Sequence, residues 1–204
     1  MEGAATRSVS DLELELSTSV AMAMSGPPGL DRWTAEATEG PDGQGSAGRL
    51  QVLAVDLLRC PDPWAALDSS NDTIAYIGDV LFDANTGQLA EGVASRLGSR
   101  SERILLLDRV ELEPEWQGRS VAALLVALTL ERLRPGCRAA VCLPGPLETM
   151  GMSERDYRQG VERMKSVWQK VGFAPLTEGL WALDLTSHTL DDRLSQLRAV
   201  HGLA

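Results

Sequence analysis

Histidine is nearly missing from this chain. Its 204 residues include two, His188 and His201, both near the C-terminal end. That scarcity argues against a zinc centre or a histidine-based triad, and no metal site is expected. Cysteine is almost as rare. Cys60, Cys137 and Cys142 are odd in number and show no Cys-x-x-Cys spacing. Reduced, buried thiols in a cytoplasmic protein are expected rather than a disulfide framework. No apolar run comes near the ~20 residues that cross a bilayer, so no membrane association is expected. The N-terminal region carries Asp11, Glu13 and Glu15 and lacks a basic stretch before an apolar run, which argues against a signal peptide. Positive charge is in deficit: 19 Lys and Arg stand against 29 Asp and Glu, for a net charge of −10. A grip on nucleic acid through its phosphates needs a basic surface, so no nucleic-acid partner is expected. Acidity instead attracts cations, an amine substrate among them. Internal repeats are absent.

What remains is long enough for one domain with a real core. Residues 1–10 are expected to be disordered and 11–204 to form a single domain. Residues 11–16 alternate Asp-Leu-Glu-Leu-Glu-Leu, the pattern of a half-buried strand. A short strand is expected over 33–38, a loop or hairpin tip over 40–46, and a central strand over 50–58. Residues 63–97 read as helical, with Ile74, Ile77, Val80 and Leu81 at helical spacing and a break at Asn85-Thr86-Gly87. A strand over 103–112 follows. Then comes a helix burying Val121, Leu124, Leu125, Leu128 and Leu133, stopped by Arg134-Pro135-Gly136. A strand over 138–143 completes a βαβ crossover with the strand at 103–112. Ser153 with Asp156 three positions on marks a helix start. On that helix Tyr157, Val161, Met164, Trp168 and Val171 form one apolar stripe. A strand over 180–185 and an amphipathic helix over 189–200 end the chain. The fold class expected is α/β (α+β), a mixed central sheet flanked by helices.

The strand at 103–112, the break at Pro114 and the helix that follows deserve a closer reading. A strand that feeds a helix N-terminus through a tight turn exposes several backbone N–H groups at one point, and the helix dipole adds positive potential there. Such a turn suits a phosphate-bearing ligand. The string Pro114-x-Trp116-Gln117-Gly118-Arg119-Ser120-Val121-Ala122-x-x-Leu125 resembles the acyl-CoA-binding motif of the GNAT superfamily of N-acetyltransferases. Ser120 stands where that family usually has Gly. Trp168-Gln169-Lys170-Val171-Gly172-Phe173 resembles the aromatic-x-Lys-apolar-Gly-Phe that closes the family's last core helix. The resemblance covers residues 103–186, the acyl-CoA-binding half. It fails over 11–102, the divergent acceptor-side half, and residues 187–204 form a C-terminal helix beyond it. The family usually places helices between its first two strands, whereas the helical segments here precede the motif strand.

The resemblance implies an N-acyltransferase moving an acyl group from acetyl-CoA, or another acyl-CoA, to a small-molecule or protein amine. It implies that the backbone at Val110 and Leu112 meets the pantetheine arm. It also implies that the N–H groups of Gln117, Gly118, Arg119, Ser120, Val121 and Ala122 cradle the pyrophosphate, with Arg119 adding a charge contact. It places an acidic base on the motif strand, and Asp108 is the positional match. By the two-residue strand period Asp108, Val110 and Leu112 share one face, with Arg109, Glu111 and Glu113 on the other. The alternative for Asp108 is an ion pair with Arg109 or Arg138. Many family members carry a Tyr acid where Trp168 stands, and an indole N–H has no accessible pKa. Tyr157, on the same helix face, is the candidate acid, its alternative being a packed stripe residue. Val161 and Met164 replace an Asn and an Ala of the family pattern. The second functional reading is therefore a catalytically impaired GNAT-like protein that binds a ligand or partner. Action on charged tRNA is disfavoured by the acidic charge. The stripe of Leu190, Leu194 and Leu197 either packs on its own core or makes a homodimer contact.

Overall fold

Ile104, Leu105, Leu106 and Leu107 are all at most 2% exposed, so the strand they form must have neighbours on both edges and a layer over each face. That strand, β4 (Arg103–Leu112), lies mid-sheet in the structure, a computed structural model describing residues 8–19, 27–40, 45–97, 103–145 and 152–203. β1 (Leu12–Ser19), β2 (Leu30–Glu39) and β3 (Gly45–Asp56) lead up to it as antiparallel neighbours. β5 (Ala139–Cys142) runs parallel to β4, and β7 (Leu180–Asp184) and β6 (Ala174–Thr177) follow antiparallel. The sheet order is β1-β2-β3-β4-β5-β7-β6. The fold is thus mixed α+β.

Helices cover both faces. α1 (Pro63–Asp68), α2 (Asp72–Leu81) and α3 (Glu91–Leu97) connect β3 to β4, as the sequence order indicates. They pack Leu67, Ile74, Ile77, Leu81 and Leu97 onto Leu53, Val55, Ile104 and Leu106 of the sheet. α4 (Val121–Leu133), α5 (Glu154–Val171) and α6 (Thr189–Val200) cover the opposite face, over Leu50, Val52, Leu105, Leu107 and Leu183. α4 is the most enclosed helix: Ala123, Val126, Ala127 and Leu130 are buried besides the expected Val121, Leu124 and Leu125. No helix among the described residues is long and apolar enough to cross a membrane. The three cysteines are free and buried.

Several expectations need correcting. Residues 1–7 lie outside the described residues, but Val9–Asp11 form a 3-10 turn capped by Ser8, so order begins earlier than expected. β6 has no counterpart in the sequence reading. Of the two readings of Leu190, Leu194 and Leu197, the structure has the first: they sit in the protein's own core at 0–5% exposure. α5 starts at Ser153 as expected, with its Oγ accepting from the Asp156 N–H. Its stripe, however, is buried only at Trp168 and Val171, while Val161 and Met164 are half-buried and Tyr157 is exposed. The 18-residue helix outruns the 13 residues of α4 and the 12 of α6, so neither of these covers the whole of its length.

His201 closes α6, and its Nε2 is buried without a hydrogen-bond partner among the described residues. Burial lowers its pKa below the ordinary histidine value. The unfolded chain therefore takes up the proton first as pH falls, and stability is lost below about pH 6.5. Melting curves between pH 7 and 5 should show His201→Leu losing less Tm than the wild type. Parallel curves would remove His201 as the cause.

Candidate functional site

The sheet opens at its centre. β4 and β5 pair only from Ile104 with Ala139 to Leu107 with Cys142. Beyond that point β5 ends, while β4 runs on to Leu112 with β3 along its other edge alone. Among the described residues, the β4 backbone from residue 108 onward thus meets no strand on its β5 side. At its far end the Leu112 carbonyl accepts from Gln117 Nε2 at 3.0 Å.

The parting coincides with an irregularity. Gln51 of β3 lies opposite Arg109 and Val52 opposite Leu107, which leaves Asp108 as an extra residue on β4. A bulge of this kind bends a strand and re-aims a side chain. It also breaks the two-residue period on which Asp108, Val110 and Leu112 were expected to share a face. Val110 and Leu112 return to the face of Leu107 and pack beneath α4. Asp108 turns to the other layer, where its Oδ2 accepts from Asn71 Nδ2 at 2.7 Å. Asn71 is the N-cap of α2, and its Oδ1 accepts from the Ile74 N–H at 3.0 Å. Neither arginine considered as a partner holds Asp108. Arg109 pairs with Glu111 at 3.3 Å. Arg138 donates to the Leu97 carbonyl at 2.5 Å and to Thr186 Oγ1 at 3.1 Å.

From Leu112 the chain makes a 3-10 turn, Pro114–Trp116. Trp116 is 1% exposed, and its indole N–H donates to Glu39 Oε1 at 3.0 Å, which anchors the turn to the end of β2. Gly118 has φ +81°, and a Cβ there would meet nothing within 4 Å. Its outer side is open. Ser120 also adopts the left-handed conformation, at φ 62° and ψ 14°. A side chain held there costs about 1–2 kcal/mol. The Ser120 hydroxyl does not cap α4; it accepts from Lys170 Nζ at 2.9 Å. The first turn of α4 holds no acidic residue, so the helix dipole and the Lys170 ammonium act together on whatever approaches.

Lys170 stands in the last turn of α5, which ends one residue later at Val171. Gly172, at φ +107°, donates its N–H to the Trp168 and Gln169 carbonyls. A Cβ on it would stand 2.6 Å from Thr189 Cγ2, so only glycine fits. Phe173 then packs edge-on against Trp168, with centroids 5.2 Å apart and planes at 65°. Trp168 is 3% exposed, yet its Nε1 has no hydrogen-bond partner among the described residues. A buried donor left unpaired costs about 1–3 kcal/mol. No family model matches the chain, and no curated protein matches it.

The expected site residues therefore divide. Gln117, Gly118, Arg119, Ser120, Val121 and Ala122 form one turn at the start of α4, reached directly from Leu112. Asp108 lies at the start of the parting. Val110 offers backbone along it and side chain to the core. Tyr157 stays apart, 43% exposed toward the outer end of α5. A cleft of about 260 Å³ opens beside Asp108, lined by Asn71, Asp72, Thr73, Arg109, Leu143 and Gly145. Two residues were not foreseen. Asn71 was legible as a helix cap, an Asn directly before an apolar-periodic segment. Lys170 belongs to the quoted string. Their partners lie 37 and 50 residues away, and no local pattern names them.

Proposed function

We propose that the protein is an acyl-CoA-dependent N-acyltransferase of the GNAT type, using acetyl-CoA or a related acyl-CoA and an amine acceptor. The observation that carries the reading is the juxtaposition of two features: the parting of β4 from β5, and the turn that joins β4 to α4. An unpaired strand backbone suits an amide-bearing arm. A helix N-terminus backed by Lys170 suits phosphates. The residues present fit such a ligand. Gly118 leaves room outside the turn.

A bound acyl-CoA would supply a thioester, whose C–S bond breaks as the C–N bond forms, the nitrogen giving up a proton and CoA leaving as a thiolate that takes its proton from water. The turn residues 117–122 and Lys170 hold the phosphates. The β4 backbone holds the arm. Asp108 takes the proton from the amine, a role that needs a carboxylate within reach of the nitrogen. Trp168 orients by hydrogen bonding and transfers no proton. Tyr157, at the exposed end of α5, has no part in this assignment. The acidic chain favours a cationic acceptor.

Trp168 also favours a second reading, a protein that binds the carrier without turnover, because no phenol stands ready to protonate a leaving thiolate. Thermal melting with acetyl-CoA, CoA and ATP tests the cofactor assignment first. A ligand at about a hundred times its Kd stabilises by about 2.7 kcal/mol, which for a chain of this size moves Tm by several degrees. Shifts with acetyl-CoA and CoA but not ATP are expected. No shift at saturation overturns both readings.

A further inference from the structure

The helical connection between β3 and β4 puts its central helix against the parting of the sheet. α2 is firmly seated there. Ile74, Ile77 and Leu81 are fully buried, and Gly78 lets Leu67 approach so closely that a Cβ would stand 3.0 Å from it. Tyr76 Oη donates to the Glu178 carbonyl at 2.9 Å, which ties α2 to the β6–β7 turn. Its first turn is therefore a fixed point. From that point a single amide works in two directions: Asn71 Oδ1 accepts from the Ile74 N–H, and Nδ2 donates to Asp108 Oδ2. An amide side chain carries its acceptor and its donor on two separate terminal atoms, so it can bridge both groups at once. Asp108 needs an external hold, because as a bulged residue it lacks the strand pairing that fixes its neighbours.

We propose that the cleft beneath the first turn of α2 is the acceptor site, that it takes a small aliphatic amine, and that Asn71 is the positioning residue that aims Asp108 at it. The inference rests on the acyl-transfer reading and adds where the acceptor enters. The cleft, about 260 Å³, is smaller than the pockets that enclose drug-sized ligands. Two of its lining side chains, Asp72 and Asp108, are carboxylates, and an alkylammonium complements them. Arg109, which also lines it, is engaged by Glu111. Asn71 leaves Asp108 Oδ1 without a hydrogen-bond partner among the described residues, so one carboxylate oxygen remains for the amine proton.

The test uses the full chain and three variants. Asn71→Ser retains an N-cap but is too short to reach Asp108. Asn71→Asp retains the cap and sets a like charge against Asp108. Thr73→Trp fills the cleft and leaves both residues in place. Acetyl-CoA affinity is read by calorimetry, acetyl transfer is followed with n-butylamine as probe, and the Asp108 carboxyl carbon is titrated by NMR. Acetyl-CoA affinity is expected to be equal in all four proteins. Both Asn71 variants should lose about 10²-fold in kcat, and Asn71→Asp should move the acid limb of the rate profile to higher pH. Thr73→Trp should raise KM for n-butylamine. The Asp108 carbon should titrate differently in Asn71→Ser. An unchanged Asp108 titration together with wild-type kcat overturns the role of Asn71. Wild-type KM in Thr73→Trp, or a wild type that binds acetyl-CoA and leaves n-butylamine untouched, overturns the acceptor site. Absence of acetyl-CoA binding overturns the acyl-transfer reading itself, and the titration still decides whether Asn71 holds Asp108.

Discussion

Asp108→Asn should lower acyl transfer by about 10²- to 10⁴-fold while acetyl-CoA affinity and Tm stay where they are. The substitution keeps the shape of the side chain and an oxygen for Asn71 Nδ2 to donate to, so α2 and the bulge remain in register. What disappears is the ability to accept a proton. A group that acts only in the transition state lowers kcat and kcat/KM together and leaves ground-state affinity alone. Asp108 is half-buried and makes no ion pair with the nearby Arg109, so loss of its charge does not leave a buried guanidinium exposed to cost stability. Thiol release from acetyl-CoA, measured with a saturating amine, reads the outcome. A variant as fast as the wild type would remove Asp108 from the chemistry.

Ala122→Glu should abolish acetyl-CoA binding without harming the fold. Ala122 is the second residue of α4 and half-buried. A carboxylate in the first turn of a helix stabilises it by about 0.3–1 kcal/mol, and α4 has none there. The substitution therefore favours the helix and opposes the ligand. Like charges about 4 Å apart near a protein surface repel by about 4 kcal/mol, which exceeds a hundredfold in affinity. Ala122→Gln has nearly the same bulk and no charge, so it separates steric from electrostatic exclusion. Calorimetric titration of folded protein with acetyl-CoA should show binding lost in the Glu variant and largely kept in the Gln variant. Equal affinity in all three proteins would mean that phosphates do not sit at this helix start.

Much of the architecture was legible because it rests on local rules. The unbroken apolar run in β4, the Ser153 cap of α5 and the Leu190-Leu194-Leu197 stripe each mark an element by composition alone. The order of helices before β4 was legible for the same reason. β6 was not, since its four residues include Pro175 and bury only Leu176. The α5 stripe shows a different limit. Periodicity says which face of a helix can be covered, and the lengths of its neighbours decide how much of it is. For the candidate site, the turn at residues 117–122 was visible as a string of residue types. The position of Asp108 relative to Val110 and Leu112 was not, because a single extra residue moved those two to the opposite face and nothing in Leu-Asp-Arg signals a bulge. The contacts of Asn71 and Lys170 depend on elements that meet only after the chain has folded.

The contact between Lys170 and Ser120 has a chemical corollary. Lys170 is one of only two lysines in the sequence, the other being Lys165 on the same helix, against seventeen arginines. Thioesters acylate neutral amines, and a guanidinium that never gives up its proton offers them none. A chain built this way would present the proposed acyl-CoA with almost no side-chain amine to consume. Of the two it keeps, Lys165 is engaged with Glu162 and Lys170 is turned toward the turn assigned to the phosphates. Stray self-acylation would therefore converge on one helix, and acylation of Lys170 would discharge the cation beside Ser120.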